Sequence, residues 1–264
     1  SIGAGSPRRW NTMRTAFDLD LATMDACLML LHGPYACGKT HLQGDFLRWA
    51  QQRGDVAFLN IKGEDGYASL AAVGLGKVGE TVDSVVSYFE AMAEYRSKKL
   101  VGLAVDSLTA LYSLMLTKHV GAPRYPDPKQ DGERAKMLWG QISMGMKDAV
   151  QTSRAAAPWV LWVAPYDRSE DPVSGGKGQT PDLPGKLAYG CAGWFDFVGY
   201  LTAQTLGPGR VQRKVSFAPT GAVLTRQRIA HAITDDIPIP DDQGGWEAIY
   251  RALQAGMPAK KETA

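Results

Sequence analysis

An α/β fold with a mainly parallel central sheet is predicted by three observations. Short, continuously apolar runs alternate with longer segments whose apolar residues recur at a 3.6-residue period. The apolar runs lack the in–out alternation of a half-exposed sheet, as expected of strands buried on both faces. One of these runs opens directly into a glycine-bounded loop ending in Gly-Lys-Thr, and a helical pattern follows at once.

The expected strands are 27–32, 56–61, 100–105, 159–164 and 195–202. Between them, 39–53 turns Leu42, Phe46, Leu47 and Ala50 to one side. In 81–97 the residues Val82, Val85, Val86, Phe89, Met92 and Ala93 share a helical face, and 135–155 forms a longer, less regular helix. After Phe195 the texture changes. Segments 210–218 and 223–229, separated by Pro219-Thr220-Gly221, are expected to be two strands joined by a tight turn. An amphipathic piece, 246–253, precedes a frayed tail. Two stretches rich in Pro, Gly and charge, 118–134 and 166–187, are expected to be long functional loops.

Composition sets limits. The 264 residues are 45% hydrophobic, enough to bury the core of one large domain or of a domain with an appendage. No run of 18 apolar residues exists, so a membrane-spanning helix is not expected. Cys27, Cys37 and Cys191 are scattered without paired spacing, so neither a disulfide framework nor a zinc site is expected and a reducing cytoplasm is. Twenty-nine basic residues against 27 acidic ones leave a net charge of +2, too little for a protein that coats nucleic acid.

The strongest motif is Gly33-Pro34-Tyr35-Ala36-Cys37-Gly38-Lys39-Thr40, which matches G-x-x-x-x-G-K-[ST] between a strand and a helix. Glycines let backbone curl around phosphate oxygens, and the new helix offers free N–H groups and the positive end of its dipole. Lys39 is suited to neutralise the β- and γ-phosphates of ATP, and the Thr40 hydroxyl to ligate Mg²⁺. With His41, the segment from Gly33 onward is the expected nucleotide-binding stretch. A second motif, Leu100 to Ser107, is an apolar strand ending in Asp106. On a parallel strand neighbouring the loop, that carboxylate is expected to hold Mg²⁺; it is also suited to cap the helix that follows, and the two roles are compatible. Glu64, just after the 56–61 strand, is the candidate for orienting or deprotonating water, with Asp65 beside it as an alternative.

Taken together, GPYACGKT, GEDGYASL, VGLAVDSLTALY and PDLPGKLAYGCAGWFDFVGYL resemble the phage-encoded RecA-like P-loop ATPases related to single-strand annealing proteins. The resemblance runs from about Cys27 to about Arg228, and its most specific part is Pro181 to Lys186 with the following strand that contains Asp196. It implies a RecA-like core over 27–231, an N-terminal extension over 1–26 and a C-terminal extension over 232–264. It also implies ATP hydrolysis coupled to single-stranded DNA, assembly of copies into a ring or filament, recombination or replication proteins as partners, and the host cytoplasm as location. Lys39, Glu64 and Asp106 become the catalytic set. Arg226 and Arg228 correspond to the basic finger that reaches a neighbour's ATP. One departure stands out: Ala164-Pro165-Tyr166 occupies the place where the family often carries a polar γ-phosphate sensor.

For DNA, local charge matters more than the total. The loop 166–187 holds Arg168, Lys177 and Lys186 but more acids than bases, whereas 205–231 holds Arg210, Arg213, Lys214, Arg226 and Arg228 with no acid. Tyr35, Tyr166 and Trp194 are suited either to stack bases or to pack. Three rivals share the phosphate loop: a duplex-translocating or packaging ATPase or helicase loader, a nucleotide-gated switch with negligible turnover, and a small-molecule kinase.

Overall fold

The computed structural model describes residues 26–256 except 65, 67–69, 71–74, 76–77, 123, 171–176, 208, 219–222, 229–232 and 241–243. A ten-stranded sheet organises them. Its strands are β1 (Cys27–Gly33), β2 (Val56–Ile61), β3 (Gly79–Val82), β4 (Gly102–Asp106), β5 (Trp159–Glu170), β6 (Lys177–Pro181), β7 (Phe197–Gly207), β8 (Arg210–Ser216), β9 (Arg226–Gln227) and β10 (Ile237–Ile239). The spatial order is β10-β8-β7-β1-β5-β4-β2-β3, with β6 beside β5 and β9 beside β7. From β7 to β3 every pairing is parallel, and β8, β10, β6 and β9 add antiparallel pairs. The expected mainly parallel sheet with an antiparallel C-terminal part is therefore present.

Burial on both faces explains the unbroken apolar runs. In β1, Leu28 and Leu30 join one core cluster while Cys27, Met29 and Leu31 join the other. The first face is covered by α2 (Val85–Lys98), α3 (Leu108–Val120) and α5 (Arg134–Ala156), through Tyr88, Met92, Leu111, Met115, Ile142 and Met146. The second is covered by α1 (Lys39–Gln51) and α7 (Gly245–Ala255). There Trp246 meets Phe46 (4.7 Å between ring centroids), and Trp49 meets Trp159 (5.1 Å). The 232–264 segment thus contributes β10 and α7 to the same layered core; residues 1–25 lie outside the described residues.

Four expectations about elements are corrected. The helix expected over 81–97 begins only at Val85, because Gly79–Val82 pairs in parallel with β2. Val82 is buried in the same cluster as α2, which is why a helical period ran through it. Ser84 and Ser87 form the capping box that starts the helix, each hydroxyl accepting the other's backbone N–H at 3.1 Å. The expected loop 166–187 holds the second half of β5 paired with β6, a polar hairpin arm without apolar periodicity, and a short α6 (Lys186–Gly190). In the expected loop 118–134, α3 runs to Val120 and a one-turn α4 (Pro128–Asp131) follows, clamped by two 2.7 Å bonds from Arg124 to Asp131. Finally, β8 pairs with β7 and β10; of the described residues of 223–229, only the two of β9 form a strand, also against β7. The Pro219-Thr220-Gly221 turn lies outside the described residues.

Candidate active site

At the carboxyl end of β1 the chain meets Gly33, where a Cβ would lie 2.1 Å from the Leu201 carbonyl oxygen of β7. Only glycine fits. The loop turns through Ala36 (φ 59°) and Gly38 (φ 100°), and α1 starts with Leu42 N–H donating to Gly38 O at 2.9 Å. This helix start has neither a side-chain cap nor an acid in its first turn, so its donors and positive dipole end stay uncompensated. The arrangement suits an anion.

The Asp106 strand, expected next to the loop, is not its neighbour: β5 lies between β1 and β4. Helix α1 bridges the gap. It crosses β4 at Gly102, and Gln43 Nε2 donates to Val105 O at 3.0 Å. The Thr40 hydroxyl thereby reaches Asp106 Oδ2 at 3.1 Å. Burial first, and the nearby charge of Glu64 second, push the Asp106 carboxyl up to about 6, against the pull of the Thr40 bond and Lys39. Asp106 does not cap α3; Ser107 does, accepting Ala110 N–H at 3.2 Å. The Asp106–Ser107 peptide bond is cis.

Glu64 is held at both ends. Ser107 Oγ donates to its Oε1 at 2.5 Å, and Asn60 Nδ2 donates to its backbone oxygen at 3.3 Å. Asn60 itself pairs in register with Asp106 across β2 and β4. Asp65, the alternative, lies outside the described residues. Lys39 is curled back, donating to Gly33 O (2.9 Å) and Pro34 O (2.7 Å). Burial draws its pKa down, while Cys37, Asp106 and Glu64 draw it up.

These groups line one cleft of about 310 Å³, formed by Tyr35, Ala36, Gly38, Lys39, Thr40, His41, Glu64, Gly66, Asp106 and Pro165. The remaining loop residues serve it from behind: Gly33 and Pro34 hold Lys39 through their carbonyls, and Cys37 is buried in the core. Pro165 brings no polar side-chain atom to the cleft. Among the described residues no group of three or more His, Cys, Asp or Glu side chains could hold a metal by itself. Mg²⁺ fits nonetheless, because it is usually bound by one or two carboxylates together with substrate phosphates. Thr40 and Asp106 are the residues that would hold it. A Cβ on Gly66 would come within 2.9 Å of Asp106 Oδ2, so a larger residue there would crowd that carboxylate.

The basic run of 205–231 does not stay together. Arg228 pairs with buried Asp196 (2.9 Å), which also binds Arg154 and the Leu28 N–H near the amino end of β1, away from the loop. Arg226 donates to Ala192 O at 2.9 Å, and Lys214 pairs with Asp236 at 2.6 Å. Arg210 is exposed, and Arg213 leans on the phosphate loop at Gly38. In the sequence Arg213 is one member of a basic run suited equally to DNA or to a solvated face, and nothing local signals its contact with the loop, since β8 returns there only through its pairing with β7. In the 166–187 stretch, 171–176, including the Gly175-Gly176 centre, lies outside the described residues.

His32 stands directly before the loop and was not singled out by the sequence. It is fully buried at the end of β1, its Nε2 lies 2.7 Å from Leu224 O, and burial lowers its pKa to about 4. The unfolded chain takes up a proton there near pH 6.5, and the folded one only near 4. Stability present above pH 6.5 is therefore lost as the pH falls toward 4, by at most about 3 kcal/mol. Chemical denaturation at pH 7 and pH 4.5 should show a larger loss for the wild type than for His32→Gln; equal losses would refute this role.

No described helix is long and apolar enough to cross a membrane. Among protein-family models, one described as an AAA domain matches residues 26–229, nearly the stretch over which the sequence motifs lie. A comparison with curated proteins finds no match.

Proposed function

The chain belongs to this AAA-domain family of P-loop ATPases, and on that premise we propose that it is a Mg²⁺-dependent ATP hydrolase acting on DNA, single-stranded by preference, in phage recombination or replication. One observation carries the ATPase reading: Lys39, Thr40, Asp106 and Glu64, drawn from three separate chain segments, line a single cleft at an uncapped helix start.

In this reading the loop amides and the start of α1 bind the phosphates, and Lys39 exchanges the Gly33 and Pro34 carbonyls for phosphate oxygens. Mg²⁺, when bound, neutralises phosphate charge and fixes the orientation of the phosphate chain. Glu64, oriented by Ser107, accepts the proton of the attacking water. The phosphate chain of ATP is the natural occupant of the space between Lys39 and the two acids.

The DNA substrate is supported by the sequence resemblance and by the β7–β8 hairpin, where residues 203–206 and Arg210 are exposed. Assembly into a ring or filament belongs to the same proposal. Of the two arginines suited to act on a neighbour's ATP, Arg226 is the cheaper to release, since it gives up one hydrogen bond. Releasing Arg228 would leave part of the charge of buried Asp196 uncompensated.

The test is steady-state ATP turnover with no DNA, with single-stranded DNA and with duplex DNA. Single strands should stimulate most. Stronger stimulation by duplex would replace this reading with a duplex translocase, and tight ATP binding without turnover under all three conditions would replace it with a switch.

A further inference from the structure

Arg213 occupies a place that the proposed chemistry has not used. It lies on β8, opposite Ala203 of β7, two residues beyond the Leu201 carbonyl that abuts Gly33. From there its side chain covers the last glycine of the loop: a Cβ built on Gly38 would be 3.0 Å from Arg213 Nε and 3.2 Å from Cδ. Its charge is felt inside the loop, where it opposes the rise that burial imposes on the Cys37 thiol.

The sheet order gives this contact a direction. The loop sits on β1, Asp106 lies two strands to one side on β4, and Arg213 two strands to the other on β8. The loop is therefore flanked by an acidic, metal-accepting side and a basic side, and a phosphate chain lying across it meets one at each end. The terminal phosphate belongs with Thr40 and Asp106, so the other end of the chain, next to the sugar, is directed toward β8. A guanidinium there offers a planar fork of N–H donors to phosphate oxygens and stays charged throughout.

Resting on the nucleotide reading of the cleft, we infer that Arg213 is a second phosphate-binding residue, contacting the sugar-proximal phosphate of a nucleoside di- or triphosphate. It gives the C-terminal antiparallel strands a direct part in nucleotide binding. Because ATP and ADP share that phosphate, the residue serves both equally, unlike a group that meets only the terminal phosphate.

The experiment is equilibrium binding of ATP and of ADP, each with Mg²⁺ and without DNA, to the wild type, Arg213→Gln, Arg213→Lys and Lys39→Ala, with thermal melting of each. Arg213→Gln keeps most of the aliphatic stem that packs on Gly38. It should weaken ATP and ADP by the same factor, about ten-fold, the loss expected of one charge-assisted contact. Arg213→Lys, which keeps the charge without the fork, should fall between the two. Wild-type-like binding by a folded Arg213→Gln, or weakening confined to ATP, overturns the inference while the wild type still binds and Lys39→Ala does not. If the wild type binds neither nucleotide, it is the nucleotide reading itself that fails.

Discussion

Replacing Lys39 with alanine is expected to lower ATP turnover about 10²–10³-fold, the scale seen when one preorganised donor to developing charge is removed. Nucleotide binding should weaken with it, because Lys39 lines the cleft itself, whereas Arg213 stands beside Gly38 on β8. The physical reason is the position of the ammonium group. It is already largely buried and directed to the loop, held by Gly33 O and Pro34 O. The desolvation that draws its pKa down makes it a stronger partner for an incoming phosphate than an exposed lysine would be. Those two carbonyls lose a donor in the variant, so melting should accompany the kinetics. Turnover at the wild-type rate in a folded Lys39→Ala protein would remove the cleft as the site of hydrolysis.

Glu64→Gln should separate binding from chemistry. Glutamine keeps the shape of the side chain and can still accept the Ser107 hydroxyl, but it cannot take a proton from water. Turnover should fall about 10²–10⁴-fold, the range for a positioned general base, with ATP affinity within a few-fold of wild type. Affinity should not suffer, because removing one of two neighbouring negative charges eases the burden on Asp106, whose carboxyl is held up partly by Glu64. A pre-steady-state measurement is the sharper check, since ATP should bind and persist unhydrolysed. Normal turnover in Glu64→Gln would pass the role to another group, and Asp65 would be the first to substitute.

The contrast between Asp106 and the arginines shows which information is local. The Gly33–Thr40 motif was legible because phosphate binding by backbone needs glycines and a fresh helix start in consecutive positions, so the whole constraint is written in eight residues. The apolar runs were legible because burial on both faces of a sheet leaves no room for alternation. Asp106 was legible as the end of such a run, although its strand is not the loop's neighbour: β5 intervenes, and α1 carries Thr40 across to it. Glu64 was readable only as a carboxylate after a strand; its partner Ser107 is 43 residues away.

Charge was the least legible. The run from 205 to 231 has no acid in sequence, yet Asp196 and Asp236, outside it, pair with Arg228 and Lys214. The α/β class, the phosphate loop and the acid strand could be read from residues that are close in the chain. The strand order, the course of β8 back over the phosphate loop and the arginine that stands beside Gly38 emerge only from the folded molecule. Those depend on pairings between distant segments, and a positive charge in one strand carries no mark of the acid, carbonyl or phosphate that the fold will bring to it.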